Sequence, residues 1–136
     1  MSSLTPTKMA KILIVDDEMT SIEAMRCLLE VNVDVKSTGT GLSALAMLKE
    51  ESFDLILLDI DLPDISGFDI CRKIKEDKST KNIPIFFISG YKDLIFEMQA
   101  YDAGAADYLC KPVNLIRLLM RINVNLNIKL PIPKLG

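Results

Sequence analysis

Residues 53–64 read FDLILLDIDLPD, a short apolar run that ends on a carboxylate. Because Leu55–Leu58 has no alternating polar positions, we predict a strand that is buried on both faces, as in parallel sheets covered by helices. Asp59 then lies where the strand leaves the sheet, and open parallel sheets bind ligands outside these carboxyl ends. Pro63 and Gly67 mark a loop before the next helix. The stretch predicts an α/β fold with Asp59 beside a ligand site, and a simple turn aspartate is the alternative.

Three other apolar segments also end on polar side chains. They are residues 11–15, followed by Asp16 and Asp17, residues 83–88, followed by Ser89, and residues 107–110, followed by Lys111. In one parallel sheet these ends lie on one edge and bring three carboxylates, a hydroxyl and an ammonium group together. Carboxylates packed this closely repel one another and need a cation. Hard oxygen ligands suit Mg²⁺, so we expect a divalent-ion site at this edge.

The composition indicates one globular domain. The chain has 136 residues, of which 49% are hydrophobic, which argues against disorder. The net charge of −3 and the lack of a basic run give no support for nucleic-acid binding. Three cysteines, no signal peptide and no membrane-length apolar run predict a cytoplasmic protein without membrane contact. The absence of histidine excludes histidine bases and histidine metal ligands.

The predicted strands and helices alternate five times, which is typical of an α/β doubly wound (βα)5 sandwich. We expect a flexible tail at residues 1–10, one domain at 11–129, and a C-terminal tail or the start of a linker at 130–136. The second strand, expected at 31–36, is more polar and is placed at a sheet edge. Helices are expected at residues 20–30, 42–50, 66–76 and 93–104, and from 114 onward.

Helical spacing predicts which side chains face the core. The expected inner stripes are Ile22, Met25 and Leu29 in the first helix, Leu42, Leu45 and Leu48 in the second, Leu94, Met98 and Tyr101 in the fourth, and Leu115, Leu119 and Ile122 in the fifth. Ile95, Phe96, Ile116 and Met120 then fall on outer faces. Because large exposed apolar patches usually mark partner sites, these four residues predict a docking or dimer surface. Scattered surface residues are the alternative.

The segment after Ile122 fits two periodicities. Its apolar residues alternate with asparagines, as in a strand, yet Leu115, Leu119, Ile122 and Leu126 also form one helical stripe. We favour a helix that continues to about Lys129, because a strand here would leave an unpaired edge.

With these residues in place, the chain resembles the receiver domain of two-component response regulators, and chemotaxis regulators in particular. The resemblance runs from about residue 11 to 127 and implies a flavodoxin-like sheet with strand order 2-1-3-4-5. It is carried by five elements in their expected places, namely Asp16-Asp17, Asp59, Pro63 with Gly67, Ser89, and Lys111-Pro112.

The resemblance implies a phosphoacceptor site. Asp59 would accept a phosphoryl group from a histidine kinase or a histidine phosphotransfer protein. Asp17 and Asp59 would bind Mg²⁺ (or Mn²⁺), with the Asp61 carbonyl as a third ligand and Asp16 acting through water. Because phosphoryl transfer depends on positioning and charge neutralisation, a site without histidine suits this role.

Further residues would bind the phosphoryl group and carry the signal. The resemblance implies that Lys111 and Ser89 contact phosphoryl oxygens and that the Lys111–Pro112 peptide bond is cis. Tyr108 would be the switch aromatic, turning inward on phosphorylation and changing the surface of the fourth helix, fifth strand and fifth helix. That change would shift a homodimer or partner-binding equilibrium.

Two departures from the family keep other functions open. Asp61 is an extra carboxylate where the family is seldom acidic, and Gly90 is smaller than usual. Asp59-Ile60-Asp61 also resembles the acidic pair of haloacid-dehalogenase-type phosphatases, although the early Asp16-Asp17 pair argues against that order of motifs. A degenerate receiver that acts only as an interaction module is the second alternative.

Overall fold

The computed structural model describes residues 9–133, which form a parallel sheet of five strands in the order β2-β1-β3-β4-β5. The elements in chain order are β1 (Lys11–Val15), α1 (Met19–Leu29), β2 (Asp34–Thr38), α2 (Gly41–Glu50), β3 (Leu55–Leu58), α3 (Gly67–Glu76), β4 (Ile85–Ser89), α4 (Leu94–Asp102), β5 (Asp107–Cys110) and α5 (Leu115–Leu126). This confirms the predicted (βα)5 fold class and strand order. Residues 1–8 and 134–136 lie outside the described range, so most of the predicted N-terminal tail and the end of the C-terminal segment do too.

Two apolar layers cover the sheet. One packs α1 and α5 against one face, and the other packs α2, α3 and α4 against the opposite face. Every residue of β3 and β4 is buried, as expected for central strands without polar alternation. Burying one such leucine, isoleucine or phenylalanine stabilises the fold by about 1.5–3 kcal/mol. No helix within residues 9–133 has both the length and the apolar character that crossing a bilayer requires.

Polar side chains cap three helices at their first turn. The side chain of Thr40 accepts a hydrogen bond from the Ser43 amide at the start of α2. Ser66 accepts from the Phe68 amide at the start of α3, and Asn114 accepts from the Arg117 amide at the start of α5. Such caps satisfy amide groups that have no partner within the helix.

The second strand starts later than predicted, at Asp34 rather than at residue 31. The amides of Asn32 and Val33 both donate to the Leu29 carbonyl, so this segment closes α1 as a turn before the strand begins. Val33 is buried in the turn, and its apolar side chain explains the early predicted start. The predicted position of β2 at a sheet edge is confirmed.

The predicted inner faces of α2 and α4 are wrong in part. Leu42 is 62% exposed, because Gly41, Ala44 and Leu48 take the buried face of α2. A Cβ atom on Gly41 would lie 2.5 Å from the Ile65 side chain, so only glycine fits there. In α4 the small Ala100 is buried, and the predicted stripe of Leu94, Met98 and Tyr101 is exposed. Small residues therefore occupy buried positions in both helices, while Leu48 of α2 is buried as predicted.

The last helix confirms the choice of helix over strand, although α5 ends at Leu126 rather than near Lys129. Asn127 stops it in the left-handed conformation with φ of 53°. Leu119 and Ile122 are buried as predicted, while Leu115 is only partly buried. The following segment returns to the domain, where the Asn123 side chain pairs with both backbone groups of Leu130.

Candidate functional site

The sheet edge brings the predicted acidic residues together. One carboxylate oxygen each from Asp16, Asp17 and Asp59 can be chosen so that all lie within 4.8 Å of one another. They come from the carboxyl ends of β1 and β3, which are neighbours in the sheet. A cavity of about 430 Å³ opens above them, lined by Asp17, Glu18, Asp59, Asp61, Gly90 and Lys111.

Backbone contacts fix the position of Asp59. Its amide donates to the Val15 carbonyl at 2.9 Å, which extends the pairing of β3 with β1 by one residue. Behind it, Gly67 begins α3 against the Asp59 carbonyl, so closely that a Cβ atom on Gly67 would collide with that oxygen. The Gly67 amide also donates to the Ile60 carbonyl at 2.8 Å. Gly67 therefore allows α3 to start directly beneath the site.

The loop between β3 and α3 is attached to α2 by a residue that sequence reasoning missed. The carboxylate of Asp64 accepts hydrogen bonds from the amides of Gly41 at 2.9 Å and Leu42 at 2.8 Å. The Leu42 amide contributes most, and the two bonds together lower the pKa of Asp64. An aspartate after a proline is common in loops, so the sequence held no signal for this long-range contact.

Lys111 lies at the centre of the acidic group. Its Nζ atom is 2.9 Å from Asp16, 3.1 Å from Glu18 and 3.1 Å from Asp59. Burial opposes its charge, but the close contacts with the Asp16 and Glu18 carboxylates and the charge of Asp59 outweigh burial and raise the Lys111 pKa. The peptide bond from Lys111 to Pro112 is cis, as expected. The lysine is therefore fully charged at neutral pH and within reach of an anion on Asp59.

The Asp59 carboxylate is held in surroundings that disfavour its charge. Burial, and next the negative charge of Asp16, raise its pKa to about 6, while Lys111 opposes the increase. The Asp61 amide contributes a long hydrogen bond of 3.4 Å to one Asp59 oxygen. A cation placed among these carboxylates would relieve the repulsion.

The acidic group fits a hard divalent cation. Asp16 is almost fully buried, and its Oδ1 accepts from the Glu18 amide at 2.9 Å. Its Oδ2 lies in an ion pair with Lys111 but accepts no well-directed hydrogen bond. This buried oxygen is free to coordinate a cation. Together with the carboxylates of Asp17 and Asp59 it forms the all-oxygen set of ligands that Mg²⁺ prefers. The Asp61 carboxylate is outside this set, which leaves only its carbonyl for the predicted ligand role.

Ser89 and Tyr108 lie beside the site, as the sequence predicted, and Tyr91 connects them. Ser89 is fully buried and its Oγ accepts from the Tyr91 amide at 3.1 Å. Tyr108 is buried, and its hydroxyl donates to the Tyr91 carbonyl at 2.6 Å. The ring of Tyr108 is thus already turned inward in this structure. No sequence pattern indicated Tyr91, because its contacts depend on the geometry of the β4–α4 loop.

The predicted docking residues are only partly exposed. Ile95 on α4 and Met120 on α5 are 55% and 51% exposed. Ile116 is partly buried, and Phe96 packs inward with its ring stacked on Tyr91 at 4.1 Å between centroids. The open apolar surface of α4 consists instead of Leu94, Ile95, Met98 and Tyr101.

Comparison with known sequences gives a match over most of the chain. The family model described as response regulator receiver domain matches residues 12–123. The response regulator PleD of Caulobacter vibrioides is 37% identical over 131 residues, which cover 93% of this chain. The chain spans only 28% of the length of PleD.

Comparison with solved structures gives the same result. A response regulator receiver domain protein from Methanospirillum hungatei has a TM-score of 0.82 and 31% identity, covering 88% of this chain and 95% of that one. The receiver domain of DrrB, solved in a BeF3-activated form, has a TM-score of 0.80 and 34% identity, covering 88% of this chain and 98% of its own. Sequence and fold thus resemble the same group of proteins.

Proposed function

This chain belongs to the family of response regulator receiver domains, and we propose that Asp59 is the residue on which it accepts a phosphoryl group. The observation that carries the proposal is the position of Asp59, within reach of two carboxylates on one side and of Lys111 on the other. Receiver domains of response regulators are phosphorylated by histidine kinases. A histidine kinase, or a histidine phosphotransfer protein, is therefore the proposed donor.

The transfer is a displacement at phosphorus. One carboxylate oxygen of Asp59 forms a bond to the phosphorus, and the bond from phosphorus to the donor breaks with its electron pair leaving on the donor. Lys111 lies 3.1 Å from the Asp59 oxygen and supplies a positive charge for the phosphoryl oxygens. The hydroxyl of Ser89 is proposed to donate to another of these oxygens. Asp59 acts in its ionised form, which the charge of Lys111 favours.

Receiver domains in general bind Mg²⁺, and Asp16, Asp17 and Asp59 are the residues proposed to hold it here, with the Asp61 carbonyl as a further ligand. Mn²⁺ has the same oxygen preference. When bound, such an ion neutralises charge on the phosphoryl oxygens. The contribution of the chain itself is to hold the acceptor oxygen still and to keep Lys111 charged beside it.

Intact-protein mass spectrometry with acetyl phosphate tests this proposal. In the presence of Mg²⁺ the wild-type chain should gain one phosphoryl group, and EDTA should prevent the gain. Asp59→Asn should remain unlabelled, because an amide cannot form an acyl phosphate. Equal labelling of Asp59→Asn and wild type would refute the assignment.

A signalling surface on α4, β5 and α5 completes the proposed function. Ile95 and Met98 on α4 and Met120 on α5 are exposed, and β5 between these helices carries Tyr108. An apolar surface of this kind fits a second copy of the chain or an output protein. The chain spans only part of the length of PleD, so the activity of any adjoining output segment belongs to the same proposal. The three free cysteines support a reducing compartment such as the cytoplasm.

Family membership displaces the haloacid-dehalogenase-type phosphatase as an alternative, since the strand order and the Asp16–Asp17 pair after β1 are those of a receiver. A receiver that serves only as an interaction module would retain this fold. It would take up no phosphoryl group from any donor, so the labelling experiment separates it from the proposed function.

A further inference from the structure

The hydroxyl of Tyr91 joins the two loops that border the acceptor site. It donates to Asp61 Oδ2 at 2.8 Å, and this bond links the β4–α4 loop to the β3–α3 loop. Gly90, the neighbour of Tyr91, lines the cavity above Asp59 together with Asp61. The Tyr91–Asp61 hydrogen bond therefore closes one side of the mouth through which a phosphodonor must reach Asp59.

The same residue also holds the side chains proposed to bind and report the phosphoryl group. The Tyr91 amide donates to Ser89 Oγ at 3.1 Å, and the Tyr91 carbonyl accepts from the Tyr108 hydroxyl at 2.6 Å. Its ring stacks on Phe96 of α4, with 14° between the ring planes. Tyr91 thus contacts the acceptor loop, the buried hydroxyl, the buried aromatic ring and α4 at once.

We propose that Tyr91 is a positioning residue that straps the β4–α4 loop across the mouth of the site while Asp59 is unphosphorylated. The strap restricts the entry of small phosphodonors and holds Tyr108 and α4 in their resting arrangement. This inference rests on the proposed function of Asp59, because it concerns access to that carboxylate.

The phosphoryl group would release the strap for two reasons. Its negative charge would lie in the cavity that Asp61 also lines, and like charges in one cavity repel. Ser89 would also reorient to donate to a phosphoryl oxygen, which disturbs the contact it now makes with the Tyr91 amide. Gly90 lies between Ser89 and Tyr91 and has open space where a side chain would be, so the β4–α4 loop can move there without collision. The loss of the Tyr91 contacts then passes to Tyr108 and to Phe96 on α4.

Tyr91→Phe tests the strap, since it removes the hydroxyl and keeps the ring that stacks on Phe96. Amide hydrogen exchange of residues 89–97, measured without donor, should become about 2- to 10-fold faster, the effect of losing one exposed hydrogen bond. The second-order rate constant for phosphorylation by acetyl phosphate at saturating Mg²⁺ should rise by a similar factor. Tyr101→Phe is the matched control, because Tyr101 is an exposed tyrosine on α4, outside the β4–α4 loop that carries Tyr91. Its exchange rate and its phosphorylation rate constant should stay at the wild-type values.

Two substitutions of Asp61 separate the hydrogen bond from the charge. Asp61→Asn keeps an oxygen that accepts from the Tyr91 hydroxyl, so it should retain slow exchange of residues 89–97. Asp61→Ala should exchange as fast as Tyr91→Phe. Loss of protection in Asp61→Asn to the same extent as in Asp61→Ala would overturn the strap in favour of a charge effect.

The strap would also be overturned if Tyr91→Phe kept the wild-type rates of amide hydrogen exchange at residues 89–97 and of phosphorylation. The exchange measurement involves no phosphoryl transfer, so it decides the strap in the resting state even if the wild type takes no label. A lack of labelling would instead count against the proposed function of Asp59.

Discussion

At the scale of single residues, the chemistry of the site depends on how Asp59 and Lys111 shift each other's pKa. Asp59 lies where burial and Asp16 raise its pKa to about 6, and Lys111 limits that increase. The sequence predicted which charged residues would meet, because each follows a strand of one parallel sheet. It could not predict that Glu18 shares Lys111, since that contact depends on the conformation of the β1–α1 loop.

The raised pKa makes stability depend on pH in a definite direction. Because the folded state binds a proton at Asp59 more tightly than the unfolded state does, ionised Asp59 lowers stability as pH rises from about 4 through about 6. Without divalent ions, Asp59→Asn should therefore be more stable than wild type by about 1 kcal/mol near pH 7.5, after allowance for solvent screening. Urea unfolding in EDTA measures the difference.

The stability difference should be markedly smaller near pH 4.5, where folded wild type is largely protonated at Asp59, and should vanish below about pH 4, where the unfolded chain is protonated as well. A difference that stays constant between the two pH values would show that the pKa of Asp59 is not raised. The comparison between variant and wild type removes the effects of other carboxylates, which titrate in both chains.

At the scale of helices and loops, the site is positioned by contacts between elements that lie far apart in sequence. Asp64 attaches the loop after β3 to the start of α2, and Gly67 lets α3 begin against the Asp59 carbonyl. These contacts position the loop that follows the acceptor without involving the Asp59 carboxylate. The β3–α3 loop is therefore part of the rigid framework of the domain.

Removing the Asp64 contact should loosen that framework. Asp64→Ala should lower the free energy of unfolding by about 1–2 kcal/mol, because two amides at the start of α2 lose their acceptor. Asp69→Ala is the matched control, since Asp69 is an exposed aspartate on α3 with one surface ion pair to Arg72. Its effect should stay within about 0.5 kcal/mol. Equal losses in both variants by urea unfolding would mean that the Asp64 contact contributes nothing specific.

Sequence patterns located every helix and strand but misplaced some of their faces. Strands with continuous apolar residues are buried whatever their rotation, so β1, β3 and β4 were predictable. Periodicity in α2 and α4 pointed to the larger apolar residues, whereas Gly41 and Ala100 take buried positions, Gly41 because the Ile65 and Ile70 side chains leave no room for a Cβ atom. Such a close approach is a property of the assembled layers and cannot be read from one helix alone.

At the scale of the whole molecule, the proposed docking surface includes the residues of α4 that were expected in the core and are exposed instead. Ile95 and Met98 are exposed on α4, and Met120 is exposed on α5 across the end of the sheet. Phe96 instead links this surface to the site by stacking on Tyr91. A change at Asp59 can therefore reach the outer face of α4 through Tyr91 and Phe96.

Beryllofluoride, which mimics a phosphoryl group on Asp59, should shift the wild-type chain from monomer towards dimer in sedimentation velocity. Ile95→Glu combined with Met120→Glu should abolish this shift and leave phosphorylation intact, because a buried unpaired charge opposes association. Val31→Glu is the control, since Val31 is 75% exposed in the turn before β2, at the sheet edge opposite β5. A wild type that stays monomeric in both states would rule out the dimer and leave an output protein as the partner.

Locating the phosphoryl group on the phosphorylated chain decides whether Asp59 is the acceptor. The chain is phosphorylated with acetyl phosphate and Mg²⁺, and borohydride then reduces the acyl phosphate to an alcohol, which marks the acceptor as homoserine. Tandem mass spectrometry of the digested chain should place homoserine at Asp59, with Asp16, Asp17 and Asp61 unmodified. Homoserine at one of these neighbouring aspartates instead, or at none of the four, would contradict the account.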